Sequence, residues 1–348
     1  MWKERVIIFG AGGLFQSNEE QILDRYEIVG IFDNDSTKWG TCSRAGYTIE
    51  GAECLSSKEY DKVLVVSAAR ETEMARELMQ RGVDSGKILF WISPEWNAWD
   101  HVSLSWSAEQ AKITADADGI TFALQTSTGA TVFNEVFIHN EYSFSIGDEP
   151  CAVFDIGMNE GLASLYFASY ANVTHVYGFE PFPMTYEKAI GNFRMNRADI
   201  RDKIKAFPFG LSDGEREEEF TYLPEFPGHM RTVHDGPDDW SKTAERLKAH
   251  VVLKDAGNVL SDLFAKHADK NIVMKIDCEG AEYGIFKSLS REGLIAKVRI
   301  YIMETHYGKE AMIKKLLKEN GFAFFDQYSG GPSKIGKIYA VNTRPRGL

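Results

Sequence analysis

Val153-Phe154-Asp155-Ile156-Gly157-Met158-Asn159-Glu160-Gly161 is the stretch whose reading decides how this chain folds. An apolar run reads as a buried strand, the glycines at 157 and 161 read as a sharp turn, and Leu162-Ala163-Ser164-Leu165 opens a helix directly behind it. Glycine at those two positions lets backbone approach a ligand where a Cβ would clash. The helix points free N–H groups and its positive end at the bend, which suits an anionic group such as a carboxylate. The next strand, His175-Val176-Tyr177-Gly178-Phe179, ends in Glu180, and this acid stands 23 residues beyond Gly157. That offset is near the ~20 residues at which an acid accepts hydrogen bonds from ribose hydroxyls. Asp155, ahead of the glycines, suits a cationic amine or sulfonium and would repel a pyrophosphate. A strand-to-helix packing turn without ligand is the bland alternative, and Glu180 at the expected offset weighs against it.

Outward from this turn, strands are expected near 152–156, 174–179, 204–211, 272–277, 298–305, 322–328 and 336–342, with helices between the first five and again over 309–320. Ser329-Gly330-Gly331-Pro332 is too short a link for a parallel crossover, so the last two strands should form an antiparallel hairpin. Upstream, Val6-Ile7-Ile8-Phe9, 28–32, 63–66 and 88–91 read as strands alternating with helices near 19–26 and 71–80, a second set of βαβ units. The intervening segment carries Trp96, Trp99 and Trp106, and its Asp118-Gly119 pair reads as a hairpin turn. The expected division is a Rossmann-like α/β domain at 1–95, a connecting region at 96–132 and a second domain at 133–348.

With 348 residues, 44% hydrophobic and 26% charged, the chain has the composition of folded protein and the length of about two domains. Its 39 Lys and Arg against 51 Asp and Glu leave a net charge of −12, which argues against nucleic acid or an anionic membrane surface as partner. Cys42, Cys54, Cys151 and Cys278 are too dispersed for a zinc or redox motif, and reduced cytosolic thiols are the expectation. Neither a signal peptide nor an apolar run of the ~18 residues needed to span a membrane is legible, so a soluble, cytoplasmic protein is expected.

The second half resembles the FkbM family of S-adenosylmethionine-dependent O-methyltransferases. The likeness is carried by FDIGMNEG at 154–161, YGFEP at 177–181, GLSDG at 210–214, VLSDLF at 259–264, MKIDCEGAEY at 274–283, IMETH at 302–306 and NGF at 320–322, and it covers roughly 133–342. The resemblance implies a class I methyltransferase fold, a seven-stranded Rossmann-like sheet closed by a C-terminal antiparallel hairpin, with S-adenosyl-L-methionine as cofactor. It implies that Asp155, Gly157, Asn159, Gly161 and Glu180 surround that cofactor, with Asp213 near the adenine. Met158-Asn159 stands where an Ala-Asn pair is usual, and Cys278 where small aliphatic residues are common. Asp213 has a second reading as a turn acid.

Methyl transfer is an in-line displacement that requires an aligned hydroxyl and a group to take its proton. Asp277 and Glu279, two apart, end one expected strand, and Glu304 and His306, two apart, end the next, so all four are expected beyond the carboxyl ends of neighbouring strands. His306, with an ordinary pKa of ~6.5, is the first candidate for general base and Asp277 the second. His306 also reads as a satisfied structural imidazole, and Glu279 and Glu282 as loop-orienting or surface acids. Asp277, Glu279, Glu304 and His306 together have ligand types that permit a divalent ion, although no spacing demands one. Pro227-Gly228-His229-Met230-Arg231-Thr232-Val233-His234, with Trp240, reads as a substrate loop or a solvated insertion.

Gly10-Ala11-Gly12-Gly13, with Asp33 beyond the second strand, resembles half of a dinucleotide fingerprint in which Phe15 replaces the third glycine. Together with Ile31-Phe32-Asp33-Asn34-Asp35 and Lys38-Trp39-Gly40, it is similar to small nucleotide-sugar-binding domains of bacterial glycan-tailoring enzymes. The expectation is an O-methyltransferase acting on a hydroxyl of a sugar, glycan or secondary metabolite. The rivals are an NAD-dependent oxidoreductase or epimerase on a nucleotide sugar, and a non-catalytic nucleotide-sugar-binding protein. A small-molecule or carbohydrate acceptor is the expected partner, and self-association is left open.

Overall fold

The computed structural model describes residues 3–67, 70–92, 102–107, 112–143, 145, 148–224, 246–328 and 335–344. They form two compact units, Met1–Gln125 and Thr126–Leu348.

In the first unit, strands β1 (Arg5–Phe9), β2 (Glu27–Phe32), β3 (Ile49–Glu50), β4 (Lys62–Val66) and β5 (Ile88–Trp91) are parallel, with helices α1 (Gly13–Arg25) and α2 (Glu71–Gln80) in the crossovers. The segment expected to be a connector behaves differently. Strands β6 (Val102–Ser107), β7 (Lys112–Ala117) and β8 (Ile120–Leu124) continue the same sheet antiparallel, in the order β3-β2-β1-β4-β5-β6-β7-β8. Asp118 and Gly119 both take positive φ, 53° and 77°, which is the twist a two-residue hairpin needs. Trp106 is buried on β6, whereas Trp96 and Trp99 lie outside the described residues.

The second unit holds a seven-stranded sheet. Its strands are β9 (Cys151–Ile156), β10 (Val173–Phe179), β11 (Ile204–Phe207), β15 (Asn271–Ile276), β16 (Ile300–Thr305), β17 (Phe322–Tyr328) and β18 (Gly336–Asn342). The order β11-β10-β9-β15-β16-β18-β17, with only β18 antiparallel to its neighbours, is the class I methyltransferase arrangement. Every residue of β9 and of β15 is buried, as central parallel strands covered on both faces require. Phe154 of β9 packs edge-on to Tyr177 at 5.8 Å and to Phe264 at 5.3 Å. Full burial of such a ring contributes roughly 2–3 kcal/mol.

The helices that cover this sheet or flank its turns are α3 (Ser127–Phe133), α4 (Leu162–Ser169), α5 (Pro183–Arg194), α6 (Ala256–Lys266), α7 (Glu282–Arg291) and α8 (Ala311–Glu319). A π-helical turn, Asn134–Ile138, continues α3. The strand expected over 204–211 divides instead at Pro208, which has no N–H to give a ladder. Beyond it, β12 (Gly210–Ser212) joins β13 (Arg216–Tyr222) and β14 (Leu247–Asp255) in a separate sheet of order β12-β14-β13. The link expected at 329–332 lies outside the described residues.

Candidate functional site

The turn after β9 is closed by its own backbone. Gly157 N–H and Met158 N–H both donate to Phe179 O, at 3.0 and 3.1 Å, and Gly161 N–H donates to Met158 O at 2.9 Å. Gly157 has φ +77°, and a Cβ there would overlap the carbonyl oxygen of Asp277. Gly161 has φ +83°, and a Cβ there would meet the Phe193 ring. Both glycines are therefore demanded by packing within the protein as well as by any ligand. Asn159 is left-handed as well, with φ 50°, and its N–H donates to Glu180 Oε2 at 3.1 Å.

Glu180 is 5% exposed, and its second oxygen accepts Phe182 N–H at 3.0 Å. Burial pushes its pKa up to about 7 against the lowering effect of these two backbone donors. Each oxygen keeps a further acceptor position, as two ribose hydroxyls would require. No side chain caps the N-terminus of α4, so its first N–H groups remain suited to a carboxylate. These features fit adenosylmethionine.

Asp155 departs from expectation. It is fully buried, accepts from Ser164 Oγ at 2.6 Å, and faces Lys275 Nζ at 3.3 Å. Lys275 donates to Gly157 O at 2.7 Å. The charge of Asp155 is thus balanced from inside the fold by Lys275, and the residue braces the turn from beneath. Asp213, at the end of β12, is half-exposed and has Arg216 Nη1 at 3.6 Å and Lys287 Nζ at 3.7 Å.

The four expected chemical groups do converge. Asp277 follows β15, Glu304 lies on β16 and His306 follows it. Two carboxylates and one imidazole, from Asp277, Glu304 and His306, have ligand atoms all within 4.8 Å of one another. His306 Nε2 faces Glu304 Oε1 at 3.4 Å and Glu279 Oε2 at 3.6 Å. Strand periodicity does not explain this, because β15 ends at Ile276. Glu279 reaches the pocket from a turn at φ 51°, and Tyr307 opposite is at φ 64°. Such conformations are costly for these residue types and concentrate at functional sites.

Glu282, read from sequence as a loop or surface acid, is fully buried. Its Oε1 accepts Cys278 N–H at 3.2 Å, Gly280 N–H at 3.0 Å and the His306 Nδ1 hydrogen at 3.0 Å. Burial alone would lower the pKa of His306, but its hydrogen bonds to Glu282 and Glu304 and the charges of Glu279 and Glu282 raise it to about 11. Burial likewise carries Glu279 up to about 8, with His306 opposing.

Three neighbours escaped the sequence reading. Glu135, on the π-helical turn, is pushed up to about 7 by burial, with Lys337 opposing. Lys337 pairs with Glu141 and lies 3.9 Å from Glu304 Oε2. Tyr142 places its ring 5.8 Å from Lys275 Nζ. The only sequence signal for Glu135 and Tyr142 was membership in a polar, aromatic stretch ahead of β9, and Lys337, on β18, gave none. The proposed substrate loop at 227–234 and Trp240 lie outside the described residues.

In the first unit, Asp33 is 8% exposed, and its oxygens are engaged by Ala11 N–H at 2.7 Å, Lys38 Nζ at 2.9 Å and Asp35 N–H at 2.8 Å. Phe15, in place of the third glycine, is a core residue. Among the described residues, no helix is long and apolar enough to cross a membrane.

The model of the methyltransferase FkbM domain matches residues 155–324, and that of the C2185-like N-terminal domain matches residues 2–89. The AMB antimetabolite synthetase AmbE of Pseudomonas aeruginosa is 27% identical over 229 residues, 55% of this chain and 10% of AmbE, so the match spans a small part of that relative. Methyltransferase sdnD of Sordaria araneosa is 26% identical over 250 residues, 65% of this chain and 95% of sdnD. A crystal structure of methyltransferase FkbM from Methylobacillus flagellatus is similar over 97% of this chain and 90% of that one, at 11% identity and a TM-score of 0.35. The second unit therefore matches a methyltransferase FkbM domain over residues 155–324, and its activity is that of an S-adenosylmethionine-dependent methyltransferase.

Proposed function

We infer that this unit methylates a hydroxyl oxygen of a small acceptor, a sugar, glycan or secondary metabolite. The observation that carries the reading is the placement of the turn beside an acid-rich pocket: Gly157 packs directly on the Asp277 carbonyl, so the turn and the pocket share a wall. Adenosylmethionine supplies the electrophilic methyl group on its sulfonium. Asn159 and Phe182 hold Glu180 for the ribose hydroxyls, and the first turn of α4 faces the carboxylate end. Acceptor hydroxyls meet Asp277, Glu279 and Glu304.

Proton uptake is better assigned to a carboxylate than to His306, whose surroundings favour the imidazolium. Glu279, raised by burial and poised in a strained turn, has the proton affinity such a base needs once ionised. A relative named for antimetabolite synthesis is in keeping with a small acceptor.

The test is transfer of labelled methyl from adenosylmethionine across sugar nucleotides, oligosaccharides and hydroxylated secondary metabolites. Label should appear as a methyl ether, and Glu279→Gln should reduce turnover ~10²-fold or more. Methylation at nitrogen or carbon alone would overturn the hydroxyl assignment. For the first unit, the nucleotide-sugar reading rests on the Gly10 turn, and calorimetry with UDP-sugars tests it. With Asp33 committed to Ala11 and Lys38, hydride chemistry on NAD has little support there.

A further inference from the structure

We propose that Asp277, Glu304 and His306 form a divalent-cation site at the acceptor end of the methyl-transfer pocket, and that the ion takes the acceptor's hydroxyl oxygen as a further ligand.

His306 gives the first argument. It is 5% exposed, and its Nδ1–H is committed to the buried Glu282, whose remaining bonds are to backbone N–H groups of the same loop. That arrangement leaves Nε2 directed at the pocket, where a cation would take the place of the proton that Nε2 otherwise shares with Glu304. Carboxylate, imidazole and metal in series is how proteins fix the tautomer of a metal-binding histidine.

The atoms that Nε2 faces are the second argument. Its neighbours at 3.4 and 3.6 Å are carboxylate oxygens, which can accept but not donate. Two carboxylates and one imidazole nitrogen, with ligand atoms all within 4.8 Å of one another, make a donor set suited to a cation. The two lysines nearby serve the outer sides of the acids. Lys275 Nζ lies 3.8 Å from Asp277 Oδ2 while donating to Gly157 O, and Lys337 Nζ lies 3.9 Å from Glu304 Oε2, the oxygen opposite the one facing His306.

Dimensions agree. Bonds of about 2.1 Å put opposite ligands on one ion about 4.2 Å apart, so a set spanning 4.8 Å closes with a small side-chain rotation. A set rich in carboxylate with a single imidazole suits a hard-to-borderline ion such as Mn2+.

The role in transfer rests on the hydroxyl-methylation reading, whereas ion binding does not. Coordination weakens the O–H bond of the acceptor. Glu279, the pocket acid outside the ligand set, takes the proton. The oxygen's electron pair then forms the new bond to the methyl carbon as the carbon–sulfur bond breaks, and that pair returns to sulfur.

The experiment is titration of Mn2+ into the metal-stripped full chain, read by electron paramagnetic resonance and calorimetry, with adenosylmethionine affinity measured on the same samples. One saturable Mn2+ per chain is expected, with 14N coupling from an imidazole in the spin-echo spectrum. Glu304→Gln and His306→Ala should each weaken Mn2+ at least tenfold, and Glu282→Gln by about 10–100-fold, while adenosylmethionine affinity stays within about twofold. Should a variant lose cofactor affinity and fold together, the nitrogen coupling in the unaltered protein decides. Absence of saturable Mn2+ binding, or binding without nitrogen coupling, would overturn the site. Mn2+ binding without methyl transfer to any hydroxyl would overturn the function above and leave the ion site standing.

Discussion

Glu180 shows how much one side chain is asked to do. Its carboxyl is buried and raised to about 7, yet ribose hydroxyls bind best to its ionised form. The sign follows: below pH 7 the cofactor must displace a proton, so affinity should rise with pH up to about 7 and level off above it, by at most tenfold per unit. Calorimetry from pH 5.5 to 8.5 checks this, and Glu180→Gln should weaken binding and flatten the profile. Affinity rising toward low pH would remove Glu180 from the ribose. Its place beside the turn was legible in the sequence because its offset from Gly157 is set by one local strand-turn-helix-strand unit. The pairing of Asp155 was not legible, for the opposite reason. Its partner Lys275 stands on another strand, 120 positions away, and nothing near Asp155 announces a lysine that already balances its charge.

At the scale of elements, the molecule depends on how β9, β10 and β15 meet. Gly157→Ala would set a Cβ against the Asp277 carbonyl at φ +77°, where the obstruction is backbone on a buried strand end and cannot swing aside. Loss of about 3 kcal/mol or more is expected from strain and overlap together, with cofactor binding lost as the turn shifts. Urea unfolding checks the first and calorimetry the second.

The opposite end of the same strands carries a different device. Tyr177 OH bonds His267 Nε2 at 2.8 Å, tying β10 to the residue that ends α6. Burial, with His175, Lys270 and Lys266 adding to it, lowers the His267 pKa to about 4. The fold therefore binds this imidazole neutral. Its contribution is complete above the unfolded value near 6.5 and disappears as pH falls from there to about 4, a loss of about 3 kcal/mol. Comparing wild type with His267→Gln by urea unfolding at pH 7.5 and 4 isolates that share, and an equal loss in both proteins would refute it. Periodicity predicted the strands of the large sheet well because central parallel strands are uniformly apolar. It missed β13, whose Arg216-Glu217-Glu218-Glu219 run reads as solvated loop and pairs with β14 through backbone and exposed charges such as Lys248 and Glu219.

On the scale of the whole chain, each unit has its own interior. Val6, Ile8, Phe15, Ile31, Leu64 and Trp91 belong to one core, and Phe154, Tyr177, Phe264, Met274, Tyr301 and Ile338 to another. All the groups assigned here to cofactor, proton transfer and cation lie between Thr126 and Leu348, and so do their neighbours Glu135 and Tyr142, which precede β9 and would be missed by a boundary placed at the first strand of the sheet. A fragment beginning at 126 should therefore fold and bind adenosylmethionine within about threefold of the full chain, because a unit of some 220 residues can bury most of the surface its unfolded chain exposes. One beginning at 145 should bind more weakly, having lost Tyr142 from beside Lys275 and Glu141 from Lys337. Calorimetry on both fragments distinguishes these outcomes, and failure of the longer one to bind would mean that the first unit contributes to the cofactor site itself.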